Sequence, residues 1–143
     1  MTVARILAKK GRNVATTSQD RTLQEISVDL TRRGIGALVV VDESGFIVGI
    51  ISERDIVAAI AKRGTDALGD PAALHMTQNP KVASELDTVP STMETMTIER
   101  FRHMPVIDRG RLVGLVSIGD VVKYRIEEIE FERKALREYI ATA

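Results

Sequence analysis

The order of apolar and polar positions divides the chain into short helices and strands that occur twice in the same order. Apolar residues at positions 3, 6 and 7 have helical spacing, and Gly11 ends this first helix. The pattern then predicts an extended piece at 14–17, a helix after Thr22, strands at 38–41 and 46–51, and a helix at 55–62. After a linker at 63–71 it predicts an extended piece at 80–83, a helix after Thr88, strands at 104–107 and 112–116, and a final helix from 118.

Apolar spacing also predicts which helix faces are buried. In the helix at 55–62 we expect Ile56, Val57 and Ile60 to point inward. The final helix, of about 24 residues and about 36 Å, is longer than so small a protein needs. Its apolar stripe consists of Val122, Ile126, Ile129, Leu136 and Ile140. The stripe either folds back on the same chain or associates with a second copy, and the pattern leaves both alternatives open.

One stretch carries the repetition most clearly. The sequence G-I-I-S-E-R-D at 49–55 returns as G-L-V-S-I-G-D at 114–120, so Ser52 matches Ser117 and Asp55 matches Asp120. Each serine can cap the helix that follows its strand, and each aspartate can complete a capping box. The same helix start can instead receive a phosphate, while the carboxylate accepts hydrogen bonds from ribose hydroxyls. The motif alone allows both interpretations.

The match continues on both sides of this stretch. Asp42, Gly45, Val48 and Val57 pair with Asp108, Gly110, Val113 and Val122, and 36–41 pairs in pattern with 102–107. Ser52 and Ser117 are 65 residues apart, which is longer than a solenoid unit and short for a self-sufficient domain. We therefore expect two halves that share one core.

With this order of elements and the string F-R-H-M-P-V-I-D at 101–108, the chain resembles a tandem pair of CBS domains, the Bateman module. More narrowly, it is similar to short stand-alone bacterial CBS-domain proteins. The resemblance covers nearly the whole chain. It implies an α+β fold of two β-α-β-β-α repeats related by pseudo-two-fold symmetry, with a long C-terminal helix. The implied domains are 1–70, with the first helix and linker, and 71–143.

The resemblance also implies a function and its residues. CBS pairs commonly bind adenosine-containing ligands, which implies AMP, ATP or NAD(H) in clefts between the repeats, and a regulatory role in energy or redox sensing through conformational or dimer-contact change. Asp55 and Asp120 would hold ribose hydroxyls, with Ser52 and Ser117 near phosphate. The residues implied to frame the base are Thr16, Thr17, Gly36 and Ala37 in the first half and Val82, Ala83, His103 and Met104 in the second.

The two motifs differ at one charged position. Arg54 could bring its fork of donors to a phosphate in the first half, or it could simply be a solvated helix residue. Gly119 stands at the matching position of the second half. We therefore expect unequal sites with different ligand preferences.

Composition narrows the function classes further. Basic and acidic residues balance at 20 each and aromatic residues make up 3%, so neither a positive field nor base-stacking platforms favour nucleic-acid binding. The chain has no cysteine, which excludes disulfides and thiolate chemistry. No apolar run approaches the roughly 20 residues of a membrane span. We expect a cytoplasmic protein that binds neither nucleic acid nor membranes.

The sequence shows no phosphate loop, paired catalytic set or metal cluster, and neither His75 nor His103 has ligand spacing to a second histidine. We therefore expect a non-enzymatic homodimer that requires no metal and reaches an unknown protein target in trans. The alternative is a purely structural dimerisation module without a physiological nucleotide ligand.

Overall fold

The computed structural model of the chain describes residues 1–142. Within them the α-helices are α1 (Val3–Lys10), α2 (Leu23–Arg33), α3 (Glu53–Arg63), α4 (Val89–Glu99) and α5 (Ile118–Thr142). The strands are β1 (Thr16–Thr17), β2 (Ala37–Val41), β3 (Ile47–Ser52), β4 (Thr77–Gln78), β5 (His103–Asp108) and β6 (Arg111–Ser117). The predicted mixture of α and β elements, in two repeats with a long C-terminal helix, is confirmed.

The chain divides into two compact units, which we name after the repeats that dominate them. The first-repeat unit consists of Asn13–Lys81 and Arg109–Val113. The second-repeat unit consists of Met1–Arg12, Val82–Asp108 and the described residues from Gly114 onward. Helix α1 therefore belongs by its contacts to the second-repeat unit, although it precedes the first repeat in sequence. The predicted boundary between residues 70 and 71 separates the sequence repeats and stays a prediction.

A four-stranded sheet in the order β1-β2-β3-β4 supports the first-repeat unit. β1 is parallel to β2, and β2 is antiparallel to β3 in a register that places Ala37 opposite Ser52. Helices α2 and α3 bury their apolar faces with the sheet in a core of Leu23, Ile26, Leu30, Leu38, Val40, Ile51, Ile56 and Ala59. The start of β2 consequently lies beside the end of β3, where α3 begins.

One predicted core position of α3 is wrong. Val57 is 66% exposed, whereas Ile56 and Ala59 are buried and Ile60 packs against the same core. Positions 56, 59 and 60 share one face of a helix, and position 57 is rotated by about 100° from position 56. The buried face of α3 is therefore narrower than its run of apolar residues indicates.

The glycine repeated in β3 and β6 admits a close packing contact in each unit. A Cβ atom on Gly49 would lie 2.6 Å from Sδ of Met76 and 2.8 Å from the backbone oxygen of Thr77 in β4. A Cβ atom on Gly114 would lie 2.6 Å from a methyl carbon of Leu7 in α1. Each glycine thus leaves room for another segment of its own unit. This segment is Met76 with β4 at Gly49, and α1 at Gly114.

The second-repeat unit contains β5 and the part of β6 from Gly114 onward, and these two strands form a two-stranded sheet. The extended piece predicted at 80–83 forms a single parallel bridge, between Ala83 and Val106, and not a longer strand. Pro80 lacks the amide hydrogen that a strand ladder needs, and Asn79 before it turns the chain with a φ of 47°. The strand of this region is β4 instead, and it pairs with β3.

Helix α5 extends beyond its buried part. Its buried residues are Val121 and Tyr124. The predicted stripe is exposed, with Val122 at 39%, Ile126 at 52%, Ile129 at 40%, Leu136 at 59% and Ile140 at 65%. The stripe therefore does not fold back onto the described chain, and its self-association stays a prediction. Neither α5 nor any other helix within residues 1–142 combines the length and apolar character needed to cross a membrane.

Candidate ligand-binding sites

The first candidate site is the turn between β3 and α3. Ser52 ends the strand in an extended conformation, with φ −119° and ψ 166°, and its hydroxyl caps α3 by accepting from the Asp55 amide at 3.4 Å. The Asp55 Oδ2 atom accepts in return from the Ser52 amide at 2.8 Å and from the Ser52 hydroxyl at 3.1 Å. The Asp55 Oδ1 atom accepts no hydrogen bond from residues 1–142. The capping box is therefore complete with one carboxylate oxygen left for another donor.

The second candidate site repeats this geometry between β6 and α5. The Ser117 hydroxyl accepts from the Asp120 amide at 3.1 Å, and the Asp120 Oδ2 atom accepts from the Ser117 amide at 2.9 Å. The Asp120 Oδ1 atom, like its counterpart in Asp55, has no donor within the described chain. Both side chains are half-buried, so the free oxygens lie at the protein surface. The capping interpretation of both motifs is confirmed.

A lysine from α1 distinguishes the second site from the first. Lys10 Nζ lies 2.6 Å from Asp120 Oδ2 and donates to the backbone oxygen of Leu115 at 2.9 Å. Burial raises the pKa of Asp120, but the hydrogen bonds from Lys10 and from the Ser117 amide outweigh that effect and hold the pKa below its usual value. No basic side chain within residues 1–142 pairs with Asp55. Lys10 was not among the predicted site residues, because it lies outside both motifs.

Backbone hydrogen bonds place the start of the preceding strand beside each site. The Glu53 amide donates to the oxygen of Gly36 at 3.0 Å, and the Ile118 amide donates to the oxygen of Arg102 at 2.8 Å. Gly36 and Ala37 therefore lie beside Ser52 as the sequence predicts, and His103 follows Arg102 in the second unit. Arg102 itself was missed, although 36–41 and 102–107 align in sequence with Gly36 opposite Arg102.

The other residues predicted to frame a base are not brought as close to the motifs. Thr16 and Thr17 pair with Val39 and Val40, two and three residues further along β2 than Ala37, which is about 7 to 10 Å at strand spacing. The equivalent bridge in the second unit joins Ala83 to Val106. Contact of these residues with a ligand stays a prediction, and the structure indicates that the chain just before each of them lies nearer to the serine.

Three further predicted residues, Met104, Val82 and Arg54, differ in accessibility. Met104 is 3% exposed and belongs to the core of its unit, so its side chain is not presented to a surface ligand. Val82 is exposed next to the bridge at Ala83. Arg54 is exposed in the first turn of α3 and makes no hydrogen bond or ion pair with the described residues. Its guanidinium is therefore available to a ligand at the first site.

Metal chemistry finds no support in the described residues. No group of three or more His, Asp or Glu side chains in residues 1–142 is arranged to hold a metal ion. His75 instead pairs with Asp70 at 2.8 Å, and Arg63 binds the same carboxylate at 3.0 Å. These three side chains connect the end of α3 to the linker and have a structural role.

Comparison with known proteins identifies the repeat. The CBS domain family matches residues 3–62 and again residues 72–127. Among solved structures, the chain is similar to the CBS-domain containing protein ATU1752 from Agrobacterium tumefaciens, with 42% identity and a TM-score of 0.85. That match covers 87% of this chain and 99% of the other.

Two similar structures contain adenosine ligands. The CBS domain protein PAE2072 from Pyrobaculum aerophilum, complexed with AMP, is 28% identical with a TM-score of 0.74 over 84% of this chain and 89% of its own. The CBS domain pair of MJ0100, in complex with 5′-methylthioadenosine and S-adenosyl-L-methionine, is 27% identical with a TM-score of 0.79 over 90% of this chain and 98% of its own. All three of these ligands contain adenosine.

Proposed function

This chain belongs to the CBS-domain family, and from that premise we propose that it is a regulatory module that binds adenine nucleotides at its two Ser-x-x-Asp turns. The ligand class is AMP, ATP or NAD(H), and binding signals to a protein target in trans. Support for the class comes from the AMP and S-adenosyl-L-methionine complexes of similar CBS proteins. The module acts without catalysing a reaction, and a cytoplasmic location stays a prediction.

The observation that carries the proposal is that each aspartate uses only one of its two carboxylate oxygens for the helix cap. One oxygen of Asp55 and of Asp120 fastens the helix start, and the other has no donor within residues 1–142. A ribose offers two hydroxyl donors, and a carboxylate only accepts hydrogen bonds. The positive end of the helix dipole beside Ser52 and Ser117 favours a phosphate attached to that ribose. Each motif can therefore cap its helix and bind a nucleotide at the same time.

Calorimetric titration with AMP, ATP and NADH tests this function, after mass spectrometry has shown that no ligand co-purified. The variant to compare is Asp55→Asn with Asp120→Asn, because asparagine keeps one oxygen for the cap and replaces the other with an NH₂ group. We expect saturable binding by the wild type and its loss in the double variant. Glu25→Gln is the matched control, since Glu25 completes the same capping box with Thr22 at the start of α2. Equal binding by all three proteins would contradict the proposal.

We also propose that two copies associate through α5. The exposed apolar residues of its outer half include Phe131 at 75%, Leu136 at 59% and Ile140 at 65%. Along the helix, the exposed residues Glu127, Glu130 and Glu132 precede Arg133, Lys134 and Arg137, whereas Glu128 already pairs with Arg125 and with the N-terminal amine. Two such helices in antiparallel orientation place the acidic stretch of each against the basic stretch of the other. The charge order therefore favours a second copy of this chain as the occupant of the stripe.

Sedimentation velocity tests the association. We expect a dimer for the wild type, a monomer for Leu136→Glu with Ile140→Glu, and weaker association at high salt because screening reduces the charge pairing. Phe46→Glu is the control, because Phe46 is an exposed apolar residue of similar size that belongs to the β2–β3 turn and not to α5. A wild type that stays monomeric, or a dimer that the α5 variant leaves intact, would exclude this interface.

The exposed stripe of α5 also favours the alternative function, a structural dimerisation module whose capping boxes have no ligand. The two functions differ in one measurement. A well-folded, ligand-free dimer that binds none of the three nucleotides would establish the structural function. Nucleotide binding that disappears in the double aspartate variant would establish the regulatory one.

A further inference from the structure

We propose that Lys10 is a ligand-binding residue of the second site, and that its ammonium makes this site select phosphorylated adenosine ligands over the neutral nucleoside. This inference rests on the proposed function of the Ser117–Asp120 turn. It adds a residue that lies outside the motif, in a helix that precedes the first repeat in sequence.

Two contacts hold the ammonium group of Lys10 in place. Its Nζ atom donates to the Asp120 carboxylate in α5 and to the backbone oxygen of Leu115, which lies in β6 two residues before the capping serine. An ammonium has three N–H donors, and these two contacts use two of them. The side chain is 37% exposed, and these two contacts leave its third donor unused. A charged donor is therefore present within the reach of a group bound at Asp120.

The packing of α1 makes this contact a feature of the fold. Leu7 is 1% exposed and seats its methyl groups at Gly114, where any side chain would collide with them. Lys10 follows Leu7 by three residues and so lies on the same side of the helix. The missing side chain at Gly114 thus brings α1, and with it the lysine, to β6.

The two sites differ in the net charge of the side chains around them. The first turn of α3 carries Glu53, Arg54 and Asp55, two acidic residues and one basic. The first turn of α5 carries the single acidic residue Asp120, and Lys10 is paired to it. A phosphate beside Asp120 therefore meets a carboxylate that is already neutralised by a cation, whereas a phosphate beside Asp55 meets an excess of negative charge. The second site is consequently the better receptor for an anionic group.

Calorimetric titration in the Asp55→Asn background isolates the second site, with AMP and adenosine as the two probes. We expect Lys10→Met to weaken AMP binding about tenfold, since a hydrogen bond to a charged group contributes roughly that much, and to leave adenosine binding unchanged. Lys10→Arg should retain most of the AMP affinity. The matched control is Lys9→Met, because the Lys9 ammonium lies 6.0 Å from the centre of the Tyr124 ring instead of at Asp120.

Each other outcome counts against the inference. Unchanged AMP affinity in Lys10→Met would show that the ammonium does not contact the ligand. An equal loss for AMP and adenosine would assign Lys10 a structural role, and tighter binding of both would show that it competes with the ligand for Asp120. If the Asp55→Asn parent binds neither probe while its thermal unfolding is intact, the second site itself fails, which is distinct from a failure of Lys10 alone.

Discussion

The two Ser-x-x-Asp turns share the same reciprocal capping hydrogen bonds between serine and aspartate, but they differ in the segment that packs beside them. At the first, the backbone of β4 and Met76 fill the space above Gly49. At the second, α1 fills the space above Gly114 and delivers Lys10 to Asp120. A duplicated motif therefore keeps its helix-capping role in both places, while its surroundings give each copy its own charge. Three predictions test this difference, beginning with the largest expected effect.

Substitution of the two glycines should reveal the different neighbours. Gly49→Ala should cost about 1–3 kcal/mol, because the new methyl group meets the backbone oxygen of Thr77 and the strand itself must move. Gly114→Ala should cost less, since it meets only side-chain atoms of Leu7. Chemical denaturation of both variants measures the difference.

A second substitution makes the test specific. Leu7→Val removes the terminal methyl carbons that approach Gly114, so it should recover part of the stability lost in Gly114→Ala and none of that lost in Gly49→Ala. Equal losses in the two glycine variants, or no recovery with Leu7→Val, would show that the close contacts do not determine the cost.

The serine caps should behave alike in stability and differ from other caps in binding. Ser52→Ala and Ser117→Ala should each cost about 1 kcal/mol, the usual value for a lost N-cap. Thr22→Ala should cost a similar amount, because Thr22 caps α2 with the same reciprocal box. If the motif serines also lie near a phosphate, AMP affinity should fall in the two serine variants and not in Thr22→Ala.

This comparison needs denaturation and titration of the same three proteins. An unchanged AMP affinity in the serine variants, with the expected loss of stability, would reduce both serines to caps. The aspartates could still bind ribose in that case, so the result would narrow the site without removing it.

The sequence was sufficient for the features that local patterns determine. The capping serines, the helix start at Thr88 and the two repeats each follow from spacing within a few residues, and all of them occur in the structure. The outward position of Val57 was not predictable from apolar character alone, because a small residue, Ala59, occupies the buried face in its place.

The charge of the second site depends on a contact between distant parts of the chain. Lys10 and Asp120 are 110 residues apart, and they meet because α1 belongs to the second-repeat unit. No periodicity within the first helix indicates which repeat it joins. The signal that could have helped is the repeated glycine, whose missing side chain shows where another segment must approach.

The smallest effect should appear in the acid titration of Asp120. Its pKa is held below the usual value by Lys10 and the Ser117 amide despite the opposing effect of burial, so the ionised carboxylate stabilises the fold above the unfolded pKa near 4. This stability is lost as the pH falls through the lower folded pKa. Lys10→Met should raise the pKa of Asp120 and shift the loss to higher pH, which carboxyl-carbon NMR titration measures against Lys9→Met. An identical Asp120 titration in both variants would show that the lysine does not set the charge of this site, and the asymmetry between the two turns would then require another cause.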